Sequence, residues 1–247
     1  MSSANSERPQ YPDRLPGTTP SRHLPAYYRT LLQAYGPQRW WPARTRFEVI
    51  VGSVLTQNVS WVNAEKAIGS LRRAGLLTPA RMSAASPARL QSLIRPAGSF
   101  RSKARTLLGF LRFLERRHGG TLSRCLRQPK AILRTQLLGL RGIGPETADS
   151  IILYAAGHPS FVVDAYARRV LERHGLLDGT EGYEEVQLLF ESSLPADPKI
   201  FNDYHALLVR VGKEHCHRSV PDCRGCPLER YLARPEPVRG RLEASRC

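Results

Sequence analysis

The chain has 247 residues, enough for one large or two small cores, and carries 37 Lys and Arg against 21 Asp and Glu, a net charge of +16. That excess, weighted toward arginine, calls for a polyanionic partner, and nucleic acid is the usual one. No run of 18 apolar residues exists, which excludes a membrane-spanning helix.

Met1 to about Ser21 is rich in Ser, Pro and Arg and has no apolar stretch, so it reads as a disordered basic tail and not as a signal peptide. Positions 233–247, rich in Arg and Pro, read the same way. Between these tails the apolar spacing is helical. Phe47, Ile50, Val51, Val54 and Leu55 form one stripe, and Ala64, Ala67, Ile68 and Leu71 form the next, stopped near Gly75. Leu107, Leu108, Leu111 and Leu114 make a third, ending at His118-Gly119-Gly120. Ile200, Tyr204, Leu207, Leu208 and Val211 mark a late helix leading into the cysteines. The one strand-like run, Ser160 to Val163, is too short to seed a sheet, so the expected class is all-α.

The central signal is Leu138-Gly139-Leu140-Arg141-Gly142-Ile143-Gly144-Pro145-Glu146-Thr147-Ala148. An apolar helix end, a turn on Gly142 and Gly144, and a helix opening at Pro145 predict a helix-hairpin-helix over about 132–156. Both glycines permit positive φ and close backbone approach to a ligand, and Pro145 suits a first helical position. Exposed N–H groups at Arg141 to Gly144 and Thr147, with the positive helix end, then suit a phosphate. Two blander readings compete: half of a dinucleotide fingerprint, which lacks its third glycine and a preceding strand, and a plain helix corner without a ligand.

Three further features carry chemistry. Asp164 stands just before the predicted helix Ala165–His174, where local sequence alone reads it as an N-cap. All three tryptophans, Trp40, Trp41 and Trp61, fall close together, readable either as core or as a stacking platform. Of five cysteines, Cys216, Cys223 and Cys226 cluster with metal-ligand spacing and fit a cytosolic metal site better than a disulfide framework. Cys125 reads as structural.

With the hairpin, the segment Phe161 to Leu171 and the terminal cysteines together, the chain resembles the endonuclease III (helix-hairpin-helix-GPD) superfamily of DNA glycosylases from about His23 to Leu232. The resemblance implies a two-lobed fold. A six-helix barrel spans 47–157, a second helical lobe combines 22–46 with 158–232, and a damaged base enters the cleft between them. It implies that Asp164 stabilises the oxocarbenium charge as the N-glycosidic bond breaks and orients the attacking water. Glu146 occupies the position of the lysine that gives relatives a Schiff-base lyase step, and glutamate forms no imine. Trp40-Trp41-Pro42, Leu55 to Trp61, Arg95 to Gly98 with Lys103-Ala104, and Gly144 to Asp149 resemble the 3-methyladenine DNA glycosylase III subgroup. There the base lies between aromatics at Trp40 or Trp41 and Trp61. Gln57 matches the glutamine that fills the gap left by the flipped base, with Ser99 or Phe100 at the wedge position. Cys216, Cys223 and Cys226 match three ligands of a [4Fe–4S] loop. The fourth falls at Leu232, leaving Cys247, or His215 or His217, which would also suit zinc, or a loop without metal.

The resulting expectation is a monomeric, cytoplasmic enzyme, nucleoid-associated if bacterial, acting on damaged double-stranded DNA. It would hydrolyse alkylated purines such as 3-methyladenine without lyase activity. An oxidised-pyrimidine glycosylase with lyase activity and a non-catalytic DNA-binding protein are the alternatives.

Overall fold

The computed structural model describes residues 20–38 and 40–232; the expectations placed on 1–19, on 233–247 and on Cys247 lie outside them. Among the described residues there are helices and turns and no strand. In chain order the helices are α1 (Pro20–Tyr35), α2 (Arg46–Leu55), α3 (Trp61–Arg73), α4 (Pro79–Ser83), α5 (Pro87–Leu93) and α6 (Phe100–His118). They continue with α7 (Leu122–Leu126), α8 (Lys130–Leu138), α9 (Pro145–Ser150), α10 (Ala165–Arg173), α11 (Tyr183–Ser193) and α12 (Pro198–Glu214). A π-helical segment, Ile151–Ala156, continues α9. The described chain divides into two compact units.

The larger unit comprises 40–162 with Asp197–Asn202. Helix α2 is its axis, buried from Phe47 through Leu55, as expected of a helix that is apolar nearly all round. Thr45 caps it, accepting from Glu48 N at 3.1 Å. The buried Glu48 carboxylate is neutralised by Arg72, so its charge does not oppose the packing. Around α2 pack α3, α6, α9 and the π-helical segment. Large side chains such as Ile50, Leu55, Leu71, Met82 and Phe110 are fully enclosed, each stabilising the fold by about 1.5–3 kcal/mol. Residues 40–46, which the family resemblance assigns to the second lobe, group with this unit instead, because the Trp41 indole packs on Gly52 and against Tyr154.

Lys103 crosses this core. Its side chain is 4% exposed, and Nζ donates to the carbonyls of Leu55 at 2.9 Å, Gln57 at 2.8 Å and Ala97 at 2.7 Å. Burial holds its pKa below the ordinary lysine value. Three acceptors nevertheless match its three donors. The side chain thus ties the end of α2 to the turn preceding α6.

The smaller unit comprises 20–38, Val163–Ala196 and 203–232. Helix α1 packs on α11, and Tyr27 Oη lies 2.9 Å from His174 Nδ1. Helices α10 and α12 meet at Gly212, where a Cβ would fall 2.3 Å from Cδ1 of Tyr166. A glycine inside a helix is ordinarily a cost. Here the absence of a side chain admits the tyrosine ring.

Candidate active site

The hairpin forms where the sequence places it, between α8 and α9. Gly142 has φ +87°, and a Cβ there would lie 2.2 Å from Oγ1 of Thr106. Only glycine satisfies both conditions. Gly144 departs from the expectation of positive φ: it is extended, at φ −92° and ψ 178°, and serves as the N-cap of α9. Its Cβ would meet nothing within 4 Å. What glycine supplies there is open space beside the backbone. Ile143 points into the core, 5% exposed, while Arg141 and Gly142 are exposed. Asp149, fully buried on α9, is gripped by Arg134 of α8 through Nε at 3.0 Å and Nη2 at 3.2 Å, and by Ser160 Oγ at 2.8 Å. This two-toothed ion pair clamps the two helices of the motif. Gln57 reaches the same turn, its Nε2 donating to Gly142 O at 2.9 Å and Thr147 Oγ1 at 2.8 Å. Ser99, at the N-terminus of α6, is exposed and left-handed with φ 39°.

The three tryptophans come together in the same unit, joined by Tyr154, an aromatic that sequence reading missed. Trp41 meets Trp61 edge to face at 5.7 Å, Trp40 meets Trp61 at 6.2 Å, and Trp41 meets Tyr154 at 5.1 Å between ring centroids. The rings touch one another, and a base does not fit between Trp41 and Trp61 as they stand. The open space lies beside them, a cavity of about 260 Å³ lined by Trp40, Trp41, Tyr154, Arg44, Arg46 and Asn202. Exposed Pro42 follows the pair. Gly52 makes room for the cluster: a Cβ there would lie 3.1 Å from Trp41 Cζ2.

Asp164, in the smaller unit, caps α10, with Oδ1 accepting from Ala167 N at 2.8 Å. Oδ2 lies 3.3 Å from Nε2 of His205 on α12. The carboxylate is 14% exposed and the imidazole 6%. Burial pushes the Asp164 pKa upward, but His205 and the backbone N–H groups of Ala167 and Tyr166 outweigh it. The group is held below its ordinary value and stays ionised. His205 was not expected from sequence. It sits beside Tyr204 in the late apolar stripe, and nothing in that spacing separates a core histidine from a partner of Asp164.

Glu146 lies exposed in the first turn of α9. Of the lysines in the larger unit, Lys103 is enclosed as described, and Lys130 Nζ donates to Pro159 O at 2.6 Å.

Cys216, Cys223 and Cys226 line one small cavity together with Arg173, His215 and Leu232. Arg173 Nη1 lies 3.3 Å from Cys216 Sγ. Burial pushes the Cys226 thiol up to about 11. Among the described residues no three His, Cys, Asp or Glu side chains are arranged to share a single metal ion. The apolar Leu232 lines the same cavity as the three thiols. Cys125 is buried elsewhere, within the core of the larger unit.

Comparison with known proteins matches this architecture. Residues 51–196 match the family described as the HhH-GPD superfamily base excision DNA repair protein. A protein of Methanocaldococcus jannaschii named as a DNA repair glycosylase, MJ1434, is 42% identical over 205 residues, covering 83% of this chain and 93% of its own. Endonuclease III of Thermotoga maritima is 29% identical over 185 residues, covering 75% and 81%. Among solved structures, an endonuclease III–DNA complex superposes with a TM-score of 0.74 at 24% identity over 87% of this chain and 95% of that one. The H. pylori 3-methyladenine DNA glycosylase bound to 1,N6-ethenoadenine gives 0.69 at 24%, over 80% and 98%. At such identities these two likenesses speak for the fold. On the family match and the 42% relative, the chain belongs to the HhH-GPD superfamily of base excision DNA repair proteins.

Proposed function

We propose that this DNA repair glycosylase removes alkylated purines, 3-methyladenine and its relatives, by hydrolysis, without a lyase step. The observation that carries the reading is the cluster of Trp40, Trp41, Trp61 and Tyr154 beside an open cavity. An N3- or N7-alkylated purine in DNA is cationic. Electron-rich rings add a cation–π attraction of about 0.5–2 kcal/mol to stacking of about 1–3 kcal/mol per base. Both accrue only once the base has left the duplex, where they offset an unstacking cost of a few kcal/mol.

A cationic base is also an activated leaving group, which matches the chemistry of Asp164. A carboxylate held ionised and hydrogen-bonded is a weak base but a well-placed anion. Its part is to stabilise the oxocarbenium charge as the glycosidic bond breaks and to orient the water that adds to C1′. A neutral, strongly bonded base would need protonation that this residue cannot supply. Glu146 offers no amine, and Lys103 and Lys130 are engaged elsewhere, so strand cleavage through an imine has no nucleophile at the family position. Arg141, Gly142, Ile143, Gly144 and Thr147 would hold the DNA backbone. Gln57, already bonded to that turn, would occupy the gap left by the flipped base. Cys216, Cys223 and Cys226 would hold an iron–sulfur cluster, with Cys247 as the remaining cysteine available for the fourth corner. When bound, such a cluster supplies a structural tie for the loop and takes no part in hydrolysis.

The test is base release from DNA methylated with dimethyl sulfate, followed by chromatography of the freed bases and gel analysis before and after hot alkali. The expected outcome is free 3-methyladenine or 7-methylguanine, with nicks appearing only after alkali and no protein–DNA adduct trapped by borohydride. Release of oxidised pyrimidines alone, or nicking without alkali, overturns the reading.

A further inference from the structure

We propose that His205 is the positioning residue for Asp164, fixing the second carboxylate oxygen so that the anion is aimed before DNA arrives. The inference rests on the catalytic role given to Asp164 above, and it concerns a residue outside the sequence motifs that define the site.

The geometry is specific. The N-cap bond from Ala167 fixes Oδ1, the Tyr166 N–H is also turned toward the carboxylate, and a side-chain partner adds a fixed direction from a second helix. Nε2 of His205 lies 3.3 Å from Oδ2, within ion-pairing distance, and faces that second oxygen. Two points define the carboxylate plane. The imidazole is itself enclosed, 5% exposed, in the run Tyr204 to Val209, every member of which is buried. Its helix is locked to that of the aspartate. Tyr166, two residues after Asp164, packs into the space left by Gly212. Arg169 of α10 also donates to Gly212 O at 3.1 Å and Cys216 O at 2.7 Å, beyond the other end of α12 from its first turn. These ties hold His205 at a fixed height against Asp164.

Stabilising an oxocarbenium ion requires net negative charge at Asp164 and a fixed direction for it. An N–H directed at Oδ2 gives that direction.

The experiment measures single-turnover base release from dimethyl sulfate-methylated DNA beside duplex affinity by fluorescence anisotropy, on the full chain. The variants are Asp164→Asn, His205→Leu, His205→Gln and His205→Asn. Leucine fills the volume without a donor, glutamine extends an amide N–H toward Oδ2, and asparagine stops short of it. The expected result is a 10- to 100-fold slower release for His205→Leu and His205→Asn, duplex affinity within twofold of the parent, and recovery of most of the rate in His205→Gln. If His205→Leu does not fold, the difference between His205→Gln and His205→Asn decides. Equal rates for those two, or a His205→Leu rate within twofold of the parent, overturn the proposal. So does a loss shared by Leu, Asn and Gln alike, which would make the role one of packing. An Asp164→Asn protein as fast as the parent, or a parent that releases no methylated purine, removes the functional reading and this inference with it. An inert Asp164→Asn beside fully active His205 variants removes the inference alone.

Discussion

Single residues in this chain serve two ends at once. Asp164 is both the N-cap of α10 and an ionised carboxylate facing His205. The N-cap seen here and the catalytic role proposed above fall on the same carboxylate. Gly142 shows how narrow such a position can be. It combines a left-handed backbone with a neighbour, Thr106, that already fills the place of a Cβ. Gly142→Ala should destabilise the larger unit by about 2–5 kcal/mol, from left-handed strain of about 1–2 kcal/mol and overpacking of about 1–3 kcal/mol. Denaturant unfolding measures it. Adding Thr106→Ala should return the packing part and leave the backbone part, and a double variant no more stable than Gly142→Ala contradicts that division.

At the scale of elements, the lesson is how α10 carries information in two directions. Its N-terminus presents Asp164, and its C-terminal half holds the cysteine loop. Arg173 donates to His217 O at 2.6 Å and Arg218 O at 3.0 Å, and Arg169 donates to Cys216 O at 2.7 Å. Arg173 is buried, so Arg173→Met leaves those carbonyls without their donor, at a cost of about 3 kcal/mol. The expected outcome is amide hydrogen exchange at least tenfold faster across 215–232 than in the parent, with α2 unchanged. Equal exchange would show that the loop is held by other means. Much of this level was legible beforehand. The stripes at Phe47 to Leu55 and Ala64 to Leu71 became α2 and α3, and Gly142 and Pro145 marked the hairpin. What sequence did not reveal depends on contacts between distant positions. Tyr154 reads as part of a buried helix until Trp41 stacks on it. His205 reads as core until α10 and α12 are brought together. Gly144 reads like Gly142, because spacing carries no information about φ. Lys103 entered the sequence reading only through its place in a subgroup motif, since local polarity does not reveal that three carbonyls surround it.

For the whole molecule, a charge of +16 sets the regime in which it meets DNA. Such binding releases condensed counterions, and affinity falls linearly in a log–log plot against salt, with a slope of about −0.9 per phosphate neutralised. Arg141 is exposed on the hairpin turn. Arg141→Ala should lower affinity for undamaged and damaged duplexes by the same factor and reduce the magnitude of the salt slope by about 1. A change confined to damaged DNA would assign Arg141 to lesion reading instead. Titrations at several salt concentrations separate the two.

The burial of Lys103 has one more consequence. In a chain this rich in cations, chemistry directed at amines meets Lys66, Lys199 and Lys213 on the surface. Lys103 is closed off by the same three carbonyls that keep it in the core. Its amine becomes available only when α2 and α6 separate. The residue is a built-in reporter: the fraction of chains modified at Lys103 counts molecules in which the larger unit has opened.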